Sequence, residues 1–480
     1  MISLEDRLIV SHTKPRTILL CRAVAGAPGQ GRFDVSRRVA LSILLQVEKE
    51  RLFAAPLLDR RLEQSHLSSL DKNLTTELVY GVLRWQGRLD AILSPLLQFP
   101  LRQMDPALRM ILRLAVYQLL FLDRIPVFAV VDEAVKMAVS HASQRQGDFV
   151  NAVLRRIAKD PPRMTPPGPS SDLAEWVAYH SHPQDLIEKW VRCWGEEEAR
   201  ALMEADNEVP YLGIQVNGLR TDLSSLKQAL SAQAKGMEEG RLVPNFLRVQ
   251  GLFGIRETHP YREGWFQVMD EASALVPYLV DPQPGEEILD ACTGKGGKAA
   301  ILGQLMENRG SITAVDIQRR ALQILRNNSG RLGISIIEPV WGDVRKPRSI
   351  GAKTFDKILL DAPCSGLGTL RRHPEIKWRN PLSSLPQLRS LQSSLLEGVA
   401  PYLRPGGVLL YSTCSPMSEE DEEVIEDFLR SHPSFGAEDV TPYLPKTSKG
   451  AVTRQGYLRT WPHCHGIDAF FAVRLKCCAS

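Results

Sequence analysis

The stretch Asp356-Lys357-Ile358-Leu359-Leu360-Asp361-Ala362-Pro363-Cys364 decides the fold. Its apolar run ends abruptly in a carboxylate, a proline and a thiol. A short apolar run closed by turn-forming residues fits a strand buried on both faces of a parallel sheet. Open sheets of that kind bind ligands at their carboxyl edge, where Asp361 and Cys364 fall. Similar runs lie on either side: EEILDA (286–291), SITAVDI (311–317), ISIIEPV (334–340), GVLLYSTC (407–414) and DAFFAVRL (468–475). Helical stretches alternate with them, so residues 265–480 are expected to form an α/β Rossmann-like domain. The last strand comes late, after a helix beginning near Ser418 and a long irregular stretch, and reads as a hairpin return.

Upstream the pattern changes. Residues 1–32 read as a flexible arm ending in the turn-rich Ala27-Pro28-Gly29-Gln30-Gly31. Apolar residues recur at helical spacing across 33–160, with breakers at Ser94-Pro95, Asp105-Pro106 and Ile125-Pro126, which predicts an all-α bundle of six or more helices. Asp105-Pro106 has the form of an N-cap with proline at the first helical position, opening a helix to about Phe121. Residues 161–172 are a proline-rich linker. A small α+β unit is expected over 173–264: helices over 173–205, strands at 211–216 and 246–249, and a helix at 224–233. The chain is therefore multidomain, as 480 residues suggest.

Composition narrows the classes. No run of about 18 apolar residues spans a membrane. Glu5 and Asp6 ahead of a short apolar patch argue against a signal peptide, so a cytoplasmic location is expected. There the eight cysteines stay reduced, and no C-x-x-C spacing points to a metal site. A net charge of +4 leaves any nucleic-acid surface to local patches.

The chemistry gathers at successive strand ends. After the first strand comes Cys292-Thr293-Gly294-Lys295-Gly296-Gly297-Lys298, whose glycines permit a sharp turn and close approach to a ligand. Taken alone, this is as well explained by a tight turn. It lacks the spacing of a Walker loop or of G-x-G-x-x-G, which argues against ATP and NAD. Asp316 closes the second strand, placed to accept from ribose hydroxyls. Asp343 follows the third, placed to receive an adenine amino group. Asp361-Ala362-Pro363-Cys364 ends the fourth and Ser412-Thr413-Cys414-Ser415 the fifth. A lone cysteine is usually a small buried hydrophobe, but two at neighbouring strand ends beside a cofactor loop suit covalent chemistry. Carbon 5 of cytosine is too weak a nucleophile to take a methyl from a sulfonium unaided. A thiolate added at carbon 6 makes it one, and Asp361 is suited to stabilise the activated ring.

The motif Asp361–Arg379 (DAPCSGLGTLRRHPEIKWR), followed by Ser412–Ser415 and preceded by Phe266–Ser273 (FQVMDEAS), is similar to that of the bacterial small-subunit ribosomal RNA cytosine-5 methyltransferase B family, the Sun/Fmu proteins of the NOL1/NOP2/Sun group. The similarity runs from about Val35 to Lys476. Within the helical region, Leu112–Leu119 and Phe149–Arg156 resemble that family's NusB-like RNA-binding domain. The resemblance implies a small RRM-like middle unit and a Rossmann-like catalytic domain that uses S-adenosyl-L-methionine. It implies Cys414 as nucleophile, Cys364 as the cysteine that assists product release, and Asp361 in base activation. Cys292, Thr293, Gly294, Lys295, Gly296, Gly297, Lys298, Asp316, Asp343 and Asp361 would hold the cofactor, with no metal. The family loop reads A-A-P-G-G-K-T, whereas this chain has Lys295 in place of the proline.

The expected partner is small-subunit ribosomal RNA, free or in early assembly, presenting an unpaired or flipped cytosine because a duplex hides carbon 6. Residues 33–160 carry 18 Lys and Arg against 14 Asp and Glu, an excess too small to separate RNA contacts from solvated helix faces at Arg37-Arg38, Arg60-Arg61 and Arg155-Arg156. Arg371, Arg372, His373 and Lys377 are expected to hold the substrate strand beside the catalytic edge, with Trp378 stacking or packing. Two alternatives use the same residues differently: a transfer RNA cytosine-5 methyltransferase, or an RNA-binding assembly factor with a vestigial catalytic domain.

Overall fold

The computed structural model describes residues 32–162, 165–168, 171–346 and 350–478. The arm assigned to 1–32 falls almost wholly outside them. Six helices build the N-terminal domain: α1 (Arg32–Glu50), α2 (Ala54–Glu63), α3 (Ser69–Leu93), α4 (Pro106–Phe121), α5 (Val127–His141) and α6 (Gln144–Lys159). Asp105 caps α4 as its sequence suggests, accepting from Ala107 N and Leu108 N at 3.0 Å each. Ile111, Leu112, Leu114 and Val116 are all buried, because α4 is the central helix and meets neighbours around most of its girth.

The middle region opens with helices Leu173–His180, Gln184–Trp194 and Glu196–Asp206. A four-stranded antiparallel sheet follows: β1 (Leu212–Val216), β2 (Gly236–Glu239), β3 (Phe246–Gln250) and β4 (Phe266–Val268), in the order β2-β3-β1-β4. Ile214, Val216, Leu247, Val249 and Phe266 pack on Leu226 and Leu230 of the covering helix Leu223–Leu230. Two features differ from the sequence reading. β2 carries no apolar alternation, since it is a part-exposed edge strand held by backbone pairing with β3. Phe266–Val268, grouped above with the catalytic region, pairs with β1 and completes this smaller sheet.

The C-terminal sheet contains β5 (Glu287–Asp290), β6 (Ser311–Asp316), β7 (Ile337–Trp341), β8 (Phe355–Asp361), β9 (Leu403–Thr413), β10 (Phe435–Glu438), β11 (Leu458–Arg459) and β12 (Phe471–Cys477). Its order is β10-β12-β9-β8-β5-β6-β7, with β11 beside β12. The pairs among β5–β9 are parallel, while β12 runs antiparallel between β9 and β10, which is the expected hairpin return. β9 starts four residues earlier than its apolar run, because Gly406 at φ 73° and a register shift against β8 let the strand begin at Leu403.

The three regions meet around one helical segment of the catalytic domain. The short helical segment Pro374–Arg379 lies against α3. Trp378 Nε1 donates to Leu83 O at 2.9 Å, Lys377 Nζ to Arg84 O at 3.0 Å, and Arg84 donates back to Arg371 O at 2.8 Å. At Gly87 of α3 a Cβ would stand 2.9 Å from the Trp378 ring, so this close approach needs glycine.

Candidate active site

Parallel pairing brings the strand ends into register. Asp361 of β8 pairs with Ser412 of β9, and each cysteine lies two or three residues beyond that pair. The Cys364 and Cys414 sulfurs stand 2.9 Å apart as free thiols, and Cys414 N also donates to Cys364 Sγ at 3.3 Å. Gly368 N donates to Cys414 O at 2.9 Å. A Cβ at Gly368 would lie 2.1 Å from Ala469 O, so the loop can close over Cys414 only with glycine there. The hydrogen bond to Cys414 and the burial of its sulfur push the Cys364 thiol well above the ordinary thiol range. Either sulfur can donate in this contact.

On the other side of β8 lies the glycine loop. Gly294 N donates to Asp316 Oδ2 at 2.9 Å, and Gln318 N to Asp316 Oδ1 at 2.7 Å. Lys298 Nζ contacts Asp361 Oδ2 at 2.5 Å, and Ser412 Oγ donates to Asp361 Oδ1 at 2.8 Å. The buried Asp290 accepts from Thr293 Oγ1 at 2.7 Å, and its burial raises its pKa to about 7. Burial, reinforced by Asp290, Asp316, Asp361 and Asp343, pushes the Cys292 thiol upward, which disfavours its thiolate. Asp343 is held in a two-pronged pair with Arg345, at 2.9 and 2.7 Å, and these hydrogen bonds lower its pKa. An adenine amino group there would share the carboxylate with Arg345.

The loop fits a cationic nucleoside cofactor. Carboxylates dominate this edge, and the space where a Cβ would stand at Gly294 or Gly297 is open for 4 Å. Ile317, 65 % exposed beside Asp316, leaves an apolar surface at this edge. That residue escaped the sequence reading because one apolar residue at a strand end carries no periodicity.

The residues expected to grip RNA lie elsewhere. Arg371 is 3 % exposed and bonds Gly466 O and Asp468. Arg372 is clamped between Asp270 at 2.5 Å and Asp468 at 3.0 Å. Lys377 is fully buried, its pKa lowered to about 7 by that burial, and it donates to Asn207 Oδ1 at 3.0 Å. The ring of His373 lies edge-on against Phe53, with centroids 5.3 Å apart. Trp378 packs. The expected RNA contacts of Arg371, Arg372 and Lys377 are thereby corrected: Arg371 is held within its own domain, while Arg372 reaches Tyr211 O and Lys377 reaches Arg84 O and Asn207 in the neighbouring regions, because buried polar groups need partners. Arg37 is corrected likewise, being buried and bonded to Gln118 at 2.8 Å, whereas Arg60, Arg61, Arg155 and Arg156 are exposed.

A sheet of this order, with a glycine loop ringed by strand-end carboxylates and two thiols at its carboxyl edge, matches the class of Rossmann-like methyltransferases, here behind a helical bundle. The family model for the 16S rRNA methyltransferase RsmB/F matches residues 277–476, that of the NusB family 34–159, and that of the ferredoxin-like domain of RsmF/B-like methyltransferases 182–255. The chain is 33 % identical over 448 residues to the probable ribosomal RNA small subunit methyltransferase B of Bacillus subtilis (strain 168), covering 92 % of this chain and 98 % of that one. It is 34 % identical over 448 residues to the protein of the same description from Synechocystis sp., at 92 % and 99 % coverage. Among solved structures, the crystal structure of PH0851 superposes with a TM-score of 0.76 at 27 % identity, covering 94 % of this chain and 99 % of that one. The chain belongs to the ribosomal RNA small subunit methyltransferase B family. Its methyl donor is S-adenosylmethionine. Among the described residues no helix is long and apolar enough to cross a membrane.

Proposed function

We propose that this chain methylates carbon 5 of an unpaired or flipped-out cytosine in small-subunit ribosomal RNA, free or early in assembly in the cytoplasm, with Cys414 as the nucleophile. The observation that carries the reading is the 2.9 Å contact between the two thiols, set at neighbouring strand ends beside the cofactor loop. The upward shift of the Cys364 thiol, caused by that hydrogen bond and by burial, favours its neutral form and so favours Cys414 as the attacking sulfur.

S-adenosylmethionine, held by Cys292–Lys298, Asp316, Asp343 and Asp361, supplies an electrophilic methyl group. The chain's task is to make carbon 5 nucleophilic. The Cys414 thiolate adds to carbon 6, forming a sulfur–carbon bond and moving the ring's π pair towards carbon 5. Asp361, at the edge between loop and thiols, steadies the charge on the activated ring, with Lys298 and Ser412 fixing its carboxylate. After methylation, loss of the carbon 5 proton restores the double bond and expels Cys414 as thiolate. Cys364 assists this release by donating its hydrogen bond to the departing sulfur.

The test is methylation of protein-free 16S ribosomal RNA and of transfer RNA, with 5-methylcytosine mapped in each. Cys414→Ala is expected to fall below roughly a thousandth of wild-type turnover and to form no covalent complex. Cys364→Ala is expected to accumulate a protein–RNA adduct that survives denaturing gels. Exchange of these two outcomes reverses the roles. Methylation confined to transfer RNA moves the substrate, and absence of any incorporation supports a vestigial domain.

A further inference from the structure

Beyond the two cysteines lies a carboxylate that the mechanism above does not use. Glu420 ends the short turn Ser418–Glu420 just after the Cys414 loop and is fully buried. Its Oε1 accepts from Ser365 N at 2.8 Å and from Gln392 Nε2 at 3.1 Å. Its Oε2 accepts from Ser365 Oγ at 2.6 Å and from Ser415 Oγ. Ser365 follows Cys364 in the chain and Ser415 follows Cys414, so one carboxylate oxygen ties together the immediate neighbours of both thiols. Gln392 adds a third strut: it also donates to Pro363 O at 2.9 Å, on the other side of Cys364. The strands themselves do not need this clamp, because backbone pairing sets their register up to Asp361 and Ser412. Beyond that pair the loops touch through Gly368 N to Cys414 O at 2.9 Å and Cys414 N to Cys364 Sγ at 3.3 Å, and Glu420 adds a buried carboxylate that bonds the residue after each thiol.

We propose that Glu420 is a positioning residue that locks the Cys364 loop against the Cys414 loop, holding the two sulfurs in hydrogen-bond contact so that Cys414 can leave carbon 6 of the methylated base. The proposal rests on the division of roles between the cysteines given above. On release, the carbon–sulfur bond breaks with its electron pair going to Cys414, and the Cys364 S–H, held at 2.9 Å, stabilises that thiolate by its hydrogen bond. Without the clamp Cys364 drifts, addition to carbon 6 still occurs, and expulsion slows. Glutamine can substitute: its carbonyl accepts from Ser365 N and Gln392, and its amide donates to the two hydroxyls, which rotate to accept.

The experiment uses the full chain, S-adenosylmethionine and protein-free 16S ribosomal RNA, reading turnover, denaturation-resistant adduct and thermal midpoint together. Glu420→Ala is expected to lower turnover roughly tenfold or more and to raise the adduct several-fold, in the manner of Cys364→Ala. Glu420→Gln is expected to stay within about threefold of wild type in both. Should Glu420→Ala fail to fold, Ser415→Ala removes one strut alone and is expected to shift both readouts the same way by a smaller factor. Normal turnover in Glu420→Ala, or a folded variant in which adduct and methylation fall together, overturns the proposal. If Cys364→Ala also traps no adduct, the fault lies in the roles given to the cysteines. If Cys364→Ala traps adduct and Glu420→Ala does not, only the clamp falls.

Discussion

Residues 361–369 and 371–379 belong to one continuous motif, yet the structure uses them in opposite ways. The first half turns its polar groups to the sheet's open edge, where Asp361 and Cys364 meet Lys298 and Cys414. The second half turns its cations inward, where Arg371, Arg372 and Lys377 bond Asp468, Asp270, Asn207 and the backbone of α3. Nothing in residue type separates the two. A carboxylate at a strand's carboxyl end has a geometry fixed by the sheet, whereas an arginine in a loop points wherever its long side chain finds a partner.

That contrast predicts that variants in the first half lose chemistry and those in the second lose stability. The largest effect is expected at Asp361: Asp361→Asn should lower kcat by roughly 10²–10³-fold with little change in thermal midpoint. A midpoint that collapses instead would make Asp361 structural. Lys377→Ala should destabilise the fold by about 3 kcal/mol, since it strips a buried network of its cation, while the salt dependence of RNA binding stays as in wild type. A shallower salt slope would return Lys377 to the phosphate contacts.

The interface side should also respond to acid. His180 is buried beside Trp176, and burial lowers its pKa from 6.5 to about 4. Between those values the unfolded chain binds the proton and the folded chain does not, so stability falls as pH drops from 6.5 towards 4. The loss is expected to reach roughly 2 kcal/mol by pH 4.5. His180→Phe should flatten the slope in denaturant titrations across that window, leaving the share of His182, which burial lowers in the same direction. An unchanged slope would place the acid sensitivity elsewhere. The smallest effect is expected at Lys295, whose side chain is exposed: Lys295→Ala should change cofactor affinity by less than about threefold in calorimetry. A larger loss would make this departure from the family loop a contact.

Much of this was legible in advance where local rules act. Asp105 announced its cap, and the runs ending in Asp316, Asp361 and Thr413 announced their strands, because apolar period and turn chemistry are written along the chain. β2 and β4 were not, since a short edge strand owes its existence to a partner's backbone. Glu420 was hidden as well: it sits in the run Glu419-Glu420-Asp421-Glu422-Glu423, which reads as a solvated helix face, and only its neighbours make it a buried clamp.

By itself the amino-acid sequence determined the strands β5–β9 alternating with helices, the glycine loop, and the two cysteines at neighbouring strand ends, for these follow from residue type and short-range spacing. Tertiary structure alone decided how close the two thiols stand, which carboxylate bonds both of their loops, and which cations of the motif are buried. Those outcomes depend on distances of a few ångströms between residues as far as 293 positions apart, and on the loss of water around them.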